Sequence, residues 1–227
     1  MTTLLVLAKE PRPGRVKTRL HPPFSLAEAA ALAEAALADT LHAVLRAPAT
    51  RRVLVLAGRP GRWLPRGFEV VPQADGGLDR RIAAALARCT GPCLLVGMDT
   101  PQLQPALLDV RWDGPDGADS ADGPGTSRVD AVLGPATDGG YWSIGLREPS
   151  PALAERVLHG VPMSSDRTGA AQLTRLRQAG LRVARLAPLR DVDTVADARA
   201  VAAVAPGSRF ARTLAELDRA APGRATR

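Results

Sequence analysis

Five cationic side chains, Lys9, Arg12, Arg15, Lys17 and Arg19, fall within eleven positions near the start of the chain, interleaved with Pro11, Pro13 and Gly14. Charge this dense can surround phosphate oxygens with charge-assisted donors. A loop that leads from a strand to a helix N-terminus adds backbone N–H groups to them. The stretch Gly14-Arg-Val-Lys-Thr-Arg-Leu20 is neither a Walker loop nor a dinucleotide fingerprint, because Gly-x-x-x-x-Gly-Lys-Ser/Thr and Gly-x-Gly-x-x-Gly are both absent. The competing reading is a solvated basic loop with no ligand.

Three acidic stretches could complete a site. Asp99, in Gly97-Met-Asp-Thr-Pro101, directly follows a short apolar run, which puts a carboxylate at the carboxyl end of a buried strand, where open α/β sheets bind ligands. There it could hold a magnesium ion that bridges phosphates, since such ions use one or two carboxylates plus substrate oxygens. It could equally cap a helix starting near Pro101. Asp138 is followed by Gly139, Gly140, Tyr141 and Trp142, which suits close backbone approach to a ligand; it also suits a plain Asp-Gly hairpin turn. Asp191-Val-Asp193-Thr194 precedes the last long helical pattern, so one of these residues is its N-cap and another is free to face a site. Ser164, Ser165, Asp166 and Thr168 read as a capping cluster before another helix.

The elements that must carry these residues alternate. Residues 1–8 form a continuous apolar strand, and Ser25 with Glu28 is a capping box opening a helix that runs to about Arg46. Strands follow at 52–57 and 68–71, then a helix at 78–88, a buried strand at 93–96 and a helix near 102–110. Further strands are expected at 130–133, 141–146 and 182–186, with a helix ending near Ala179 and another over 193–204. This predicts an α/β class with a single Rossmann-like domain over 1–204, a mainly parallel central sheet and helices on both faces. Residues 111–128, rich in Gly, Asp, Pro and Ser, read as a flexible surface insertion, and 205–227 as a peripheral tail with a short helix at 210–220.

Composition narrows the partners. The 227 residues carry a net charge of +7, but the excess arginines are scattered, and one Tyr, three Phe and three Trp supply no stacking platform for nucleic acid. Cys89 and Cys93 form no disulfide framework, and the isolated His21, His42 and His159 provide no zinc spacing. No apolar run reaches spanning length and no signal-peptide pattern opens the chain, which implies a cytoplasmic protein.

With the stretches Ala8-Lys-Glu-Pro-Arg-Pro-Gly-Arg-Val-Lys-Thr-Arg-Leu20, Gly97-Met-Asp-Thr-Pro101, Gly134-Pro-Ala-Thr-Asp-Gly-Gly-Tyr141 and Asp191-Val-Asp-Thr194 in this order, the chain resembles the transferases associated with radical-SAM and selenodomain proteins, of the arsenosugar-biosynthesis glycosyltransferase type. That family is similar to the nucleotide-diphospho-sugar transferase superfamily with the GT-A fold, which also includes guanylyltransferases. The resemblance implies that Lys17, Asp99 and Asp138 are catalytic. It implies that Lys9, Gly14, Arg15, Lys17, Thr18, Arg19, Gly139, Gly140 and Tyr141 contact substrate, and that Asp99 and Asp193 hold Mg2+ or Mn2+. The expected partners are a nucleotide-sugar or nucleoside triphosphate and a small-molecule acceptor. Sugar transfer is the first expectation, nucleotidyl transfer with release of pyrophosphate the alternative, and a non-catalytic nucleotide-binding protein the third. Two departures bear on that choice: Lys9-Glu10-Pro11 stands where nucleotidyltransferases carry a Gly-Gly loop, and Thr100-Pro101 follows Asp99 where many glycosyltransferases have Asp-x-Asp.

Overall fold

The computed structural model describes residues 2–113 and 128–220. Among these residues seven strands form one sheet in the order β3-β2-β1-β4-β6-β5-β7. The strands are β1 (Thr3–Lys9), β2 (Arg51–Ala57), β3 (Glu69–Pro72), β4 (Cys93–Val96), β5 (Ala131–Pro135), β6 (Tyr141–Leu146) and β7 (Val183–Arg185). Pairing is parallel from β3 through β4 and between β5 and β7, while β6 runs antiparallel to both its neighbours. The sheet is thus mainly parallel, as expected, with one reversed strand supplied by the β5–β6 hairpin.

The apolar strands are buried on both faces because helices cover both. In β1, Leu4, Val6 and Ala8 face α1 (Leu26–Arg46), while Leu5 faces the opposite layer made by α2 (Leu78–Leu86), α3 (Pro151–Leu158) and α4 (Thr168–Gln178). Ser25 caps α1 as the sequence implies: its side chain accepts from Glu28 N, and Glu28 returns a bond to Ser25 N. The outer side of α1 is covered by α5 (Val195–Val204) and α6 (Arg209–Ala220), with Ala29, Leu32 and Ala36 against Val201, Phe210 and Leu214. Burial on both sides is why α1 is built from Ala and Leu: small residues let neighbouring layers approach.

Several elements differ from expectation. The segment assigned to a peripheral tail contains α6, whose Phe210 and Leu214 are buried and whose first N–H groups are bound by Asp39, so it is part of the packed structure up to Ala220. In place of a helix over 102–110 there is only a 3-10 turn at Pro105–Leu108, because Pro101 and Pro105 remove donors and Pro105 holds Gln104 extended. α3 has no counterpart among the expected elements, although Ser150 caps it by accepting from Leu153 N and Pro151 occupies its first turn. Most of the expected insertion, 114–127, lies outside the described residues, as does 221–227. The flanks at 111–113 and 128 are anchored, since Trp112 is buried with its indole N–H on Thr2 Oγ1 at 2.9 Å, and Asp113 pairs with Arg128 in an isolated bridge. No helix among the described residues is long and apolar enough to cross a membrane.

Candidate active site

After β1 the chain adds β2 and β3 on one side, and then returns to add β4 on the other. The carboxyl ends of β1 and β4 therefore flank a topological switch point, the place where open α/β sheets form a crevice. A cleft of about 990 Å³ opens there. Lys9, Arg15, Lys17, Thr18 and Arg19 line it from the β1 side, Asp99 from the end of β4, and Asp138, Gly140 and Tyr141 from the hairpin. Gly14 and Gly139 do not line it. Gly14 adopts φ 73 in the loop, and Gly139 adopts φ 90 where an added Cβ would stand 2.0 Å from Asp166 O, so both shape backbone rather than present a surface.

At the centre stands Lys17. Its side chain is only 7% exposed, and its ammonium lies 2.9 Å from Asp99 Oδ1 and 3.2 Å from Asp193 Oδ1. Burial alone would lower its pKa, but the two carboxylates outweigh burial and raise it, so Lys17 is charged here. Its backbone takes the left-handed conformation, φ 48 and ψ 35, at the start of a 3-10 turn over Thr18–Leu20. For a residue other than glycine this conformation has to be imposed by its surroundings. Arg19 reaches Asp193 more loosely, at 3.5 Å, with most of its side chain in solvent. Arg15 is exposed, and its side chain has no hydrogen bond or ion pair among the described residues. The loop therefore offers one buried, committed cation and two exposed cations at its mouth.

Asp99 and Asp193 are far apart in sequence, and a backbone bond brings them together. The segment 189–193, which follows β7, runs parallel alongside the end of β5, with Thr137 N donating to Leu189 O and Leu189 N to Pro135 O, and then docks on the β4 exit through Val192 N to Asp99 O at 3.0 Å. Thr194 caps α5 in a capping box with Asp197, which leaves both Asp191 and Asp193 free of capping duty. Asp99 is likewise no helix cap, since the nearest helical turn starts only at Pro105. Asp138, in contrast, is exposed and accepts a hydrogen bond from Gly140 N at 2.9 Å, the hairpin-turn role allowed by its sequence.

Two participants had no clear sequence signal. For Asp191 the sequence left open whether it caps the helix or faces a site; it lines the cleft, with its Oδ1 buried and without a hydrogen-bond partner among the described residues. Burial, followed by repulsion from Asp99 and Asp138, raises its pKa to about 7 despite the opposing pull of Lys17. Gln73 donates from Nε2 to Ala8 O at 2.7 Å and to Val55 O at 3.2 Å, and Arg81 holds its other end at 3.3 Å, which ties the β3 exit to the wall of the cleft. Nothing local in the sequence marks that amide. Tyr141 is half-buried with its hydroxyl near Met163 Sδ, and burial together with the nearby Asp79 raises its pKa. Ser165 and Thr168 organise the turn before α4 by bonding each other's segment, not by capping it from the N-cap position.

No group of three or more His, Cys, Asp or Glu side chains among the described residues forms a ready metal cage. The pair Asp99 and Asp193 nevertheless suits a hard divalent cation that completes its shell with phosphate oxygens and water: both carboxylates already converge on one positive charge. A second groove, of about 700 Å³, lies between α1, α6 and the 62–65 loop; Glu34 and Glu216 are its carboxylates, set among the arginines Arg62, Arg209 and Arg212.

Residues 31–165 match the family described as uncharacterized protein conserved in bacteria (DUF2064). The chain belongs to this family. A phosphoenolpyruvate guanylyltransferase of Thermomonospora curvata is 34% identical over 241 residues, an alignment covering 100% of this chain and 94% of the relative. A second protein of that name, from Conexibacter woesei, is 35% identical over 127 residues, which is 52% of this chain and 56% of the relative. A crystal structure from Desulfovibrio desulfuricans, of a protein provisionally called a nucleotide-diphospho-sugar transferase, superposes with a TM-score of 0.78 at 25% identity over 96% of each chain. The fold is thus the nucleotide-diphospho-sugar transferase-like one, and the chain is a transferase.

Proposed function

We propose that this transferase moves a nucleotidyl group, with guanosine triphosphate as donor and a small phosphorylated acid, phosphoenolpyruvate in the relatives' case, as acceptor. The observation that carries the reading is the convergence of Lys17, Asp99 and Asp193 beside the exposed Arg15 and Arg19, at a strand-end cleft in a chain that aligns over nearly its whole length with a guanylyltransferase. In this reaction an acceptor oxygen attacks the α-phosphorus of the donor. The bond from that phosphorus to the bridging oxygen breaks, and pyrophosphate leaves with both electrons of the bond.

The residues divide the task by position. Arg15 and Arg19, at the mouth of the cleft, bind the outer phosphates and neutralise charge on the departing pyrophosphate; Lys17 does so deeper in. Asp99 and Asp193 would hold Mg2+ or Mn2+, which when bound supplies Lewis-acid polarisation of the phosphate oxygens. Lys9, Thr18 and the backbone at Gly140 border the donor, and Tyr141 borders the far wall. Asp138 serves mainly to shape the turn that carries Gly140. A nucleotide substrate agrees with a cytoplasmic setting.

Sugar transfer from a nucleotide-diphospho-sugar is the second reading, in keeping with the arsenosugar-type motifs and favoured by the superposition on the Desulfovibrio protein. A single assay separates the two. The protein is incubated with Mg2+ or Mn2+, phosphoenolpyruvate and either the four nucleoside triphosphates or a set of nucleotide-sugars, and released pyrophosphate and nucleoside diphosphate are measured. Pyrophosphate released from GTP only when acceptor is present is the expected result. Nucleoside diphosphate released from a nucleotide-sugar, with no pyrophosphate from any triphosphate, overturns nucleotidyl transfer in favour of the second reading. Nucleotide binding with turnover of neither donor class overturns both.

A further inference from the structure

The ammonium of Lys17 stands between the two carboxylates assigned to the metal, at 2.9 Å and 3.2 Å, and that position is built rather than incidental. The side chain is 7% exposed, the backbone beneath it is in the left-handed region, and Val192 N on Asp99 O fixes the spacing of the acidic pair. Resting on the metal reading above, we propose that in the nucleotide-free protein Lys17 is itself the cation of the Asp99–Asp193 pair, so that divalent metal is taken up together with nucleotide phosphates and not before them.

The energetics follow from charge. A metal ion arriving alone would compete with Lys17 for both carboxylates and would leave a buried ammonium without a partner, a costly outcome in a site this enclosed. A triphosphate changes the exchange. Its oxygens, entering between Arg15 and Arg19, give the Lys17 ammonium new anionic partners within reach of its flexible stem, and Asp99 and Asp193 are released to the metal. Metal and nucleotide then favour each other's binding, and linkage requires the factor to be the same in both directions. The protein would thereby avoid holding metal in an empty cleft, and Lys17 would move from metal site to phosphate as the donor enters.

The test is titration of the full chain with Mn2+ in a buffer that does not bind the metal, with the bound ion read from the loss of the free-ion electron paramagnetic resonance signal. Without nucleotide, wild-type protein and K17R are expected to bind Mn2+ weakly at this site. K17Q, which keeps much of the side chain's bulk but no charge, should bind it about tenfold more tightly or better, within the ordinary range of coupling between sites. The double variant K17Q/D99N should lose that gain. In parallel, binding of a fluorescent GTP analogue to wild-type protein should strengthen about tenfold when Mn2+ is added, and to K17Q by much less. Equal Mn2+ affinity of wild type and K17Q without nucleotide overturns the proposal while leaving the metal reading intact. So does a gain in K17Q that survives D99N. If K17Q does not fold, the wild-type arm decides alone: Mn2+ bound as tightly without the analogue as with it overturns the proposal. Analogue binding indifferent to Mn2+, with no Mn2+ bound by any variant, overturns the metal reading and this inference together.

Discussion

The exit of β4 and the turn between β5 and β6 carry nearly the same local sequence logic: a buried apolar strand, glycine, and an aspartate. At the β4 exit the Asp99 side chain has no backbone partner among the described residues and turns toward Lys17 at 2.9 Å. In the hairpin, Asp138 is captured by its own turn and accepts from Gly140 N at 2.9 Å. The difference comes from topology. A parallel strand ends at an opening where the chain travels away to a distant crossover, whereas a hairpin reverses within a few residues and recruits the nearest short acceptor to close the turn. An aspartate at the end of a parallel strand is thus free for chemistry in a way that a hairpin aspartate is not.

Substitutions can break or sharpen this contrast, and the largest effect belongs to the hairpin. Gly139 sits at φ 90, and a Cβ there would stand 2.0 Å from Asp166 O and 2.6 Å from its carbonyl carbon. Backbone cannot yield as a flexible side chain would, so G139A should cost about 4 kcal/mol of stability, read as a shift in the denaturation midpoint. A midpoint like the parent's would show that the turn is looser than the contact with Asp166 implies. Next comes D99N. It keeps the shape of the side chain but removes the charge that faces Lys17, and should lower turnover about a hundredfold, or about 2.7 kcal/mol of barrier, with weaker metal-dependent nucleotide binding. A D99N variant that turns over like the parent would reduce Asp99 to a structural anchor for Lys17.

The parts legible in the sequence were those written locally. The capping box of Ser25 and Glu28, the apolar run of β4 and the strand after Gly140 lie where the pattern puts them, because a few neighbouring residues decide each. The cleft's basic wall was legible for the same reason. What failed was non-local or rested on a competing local rule. Two prolines at 101 and 105 outweighed a helical-looking pattern of Leu and Val. The burial of Phe210 depends on the outer face of α1, about 170 residues earlier, as the Asp39 bond to Phe210 N with its separation of 171 illustrates. The role of Asp191 depends on which residue caps α5. Three candidates, Asp191, Asp193 and Thr194, are indistinguishable until Thr194 is seen to pair with Asp197, and only then are two carboxylates released to the cleft.

The smallest expected effect tests the hairpin aspartate directly and needs two substitutions. D138A removes the acceptor for Gly140 N and should cost about 1 kcal/mol of stability, the usual worth of such a bond. D138N retains a side-chain oxygen at the same place and should cost less than half of that. Both remove a negative charge that helps to keep the Asp191 carboxyl protonated, so both should lower the pKa of Asp191 from its raised position. If the side chain's work is to close the turn, D138N will have turnover within about threefold of the parent, well inside one decade of rate. If D138N instead falls as far as D99N, the charge at 138 acts on the reaction, and strand topology alone does not decide which aspartate at a strand end is catalytic.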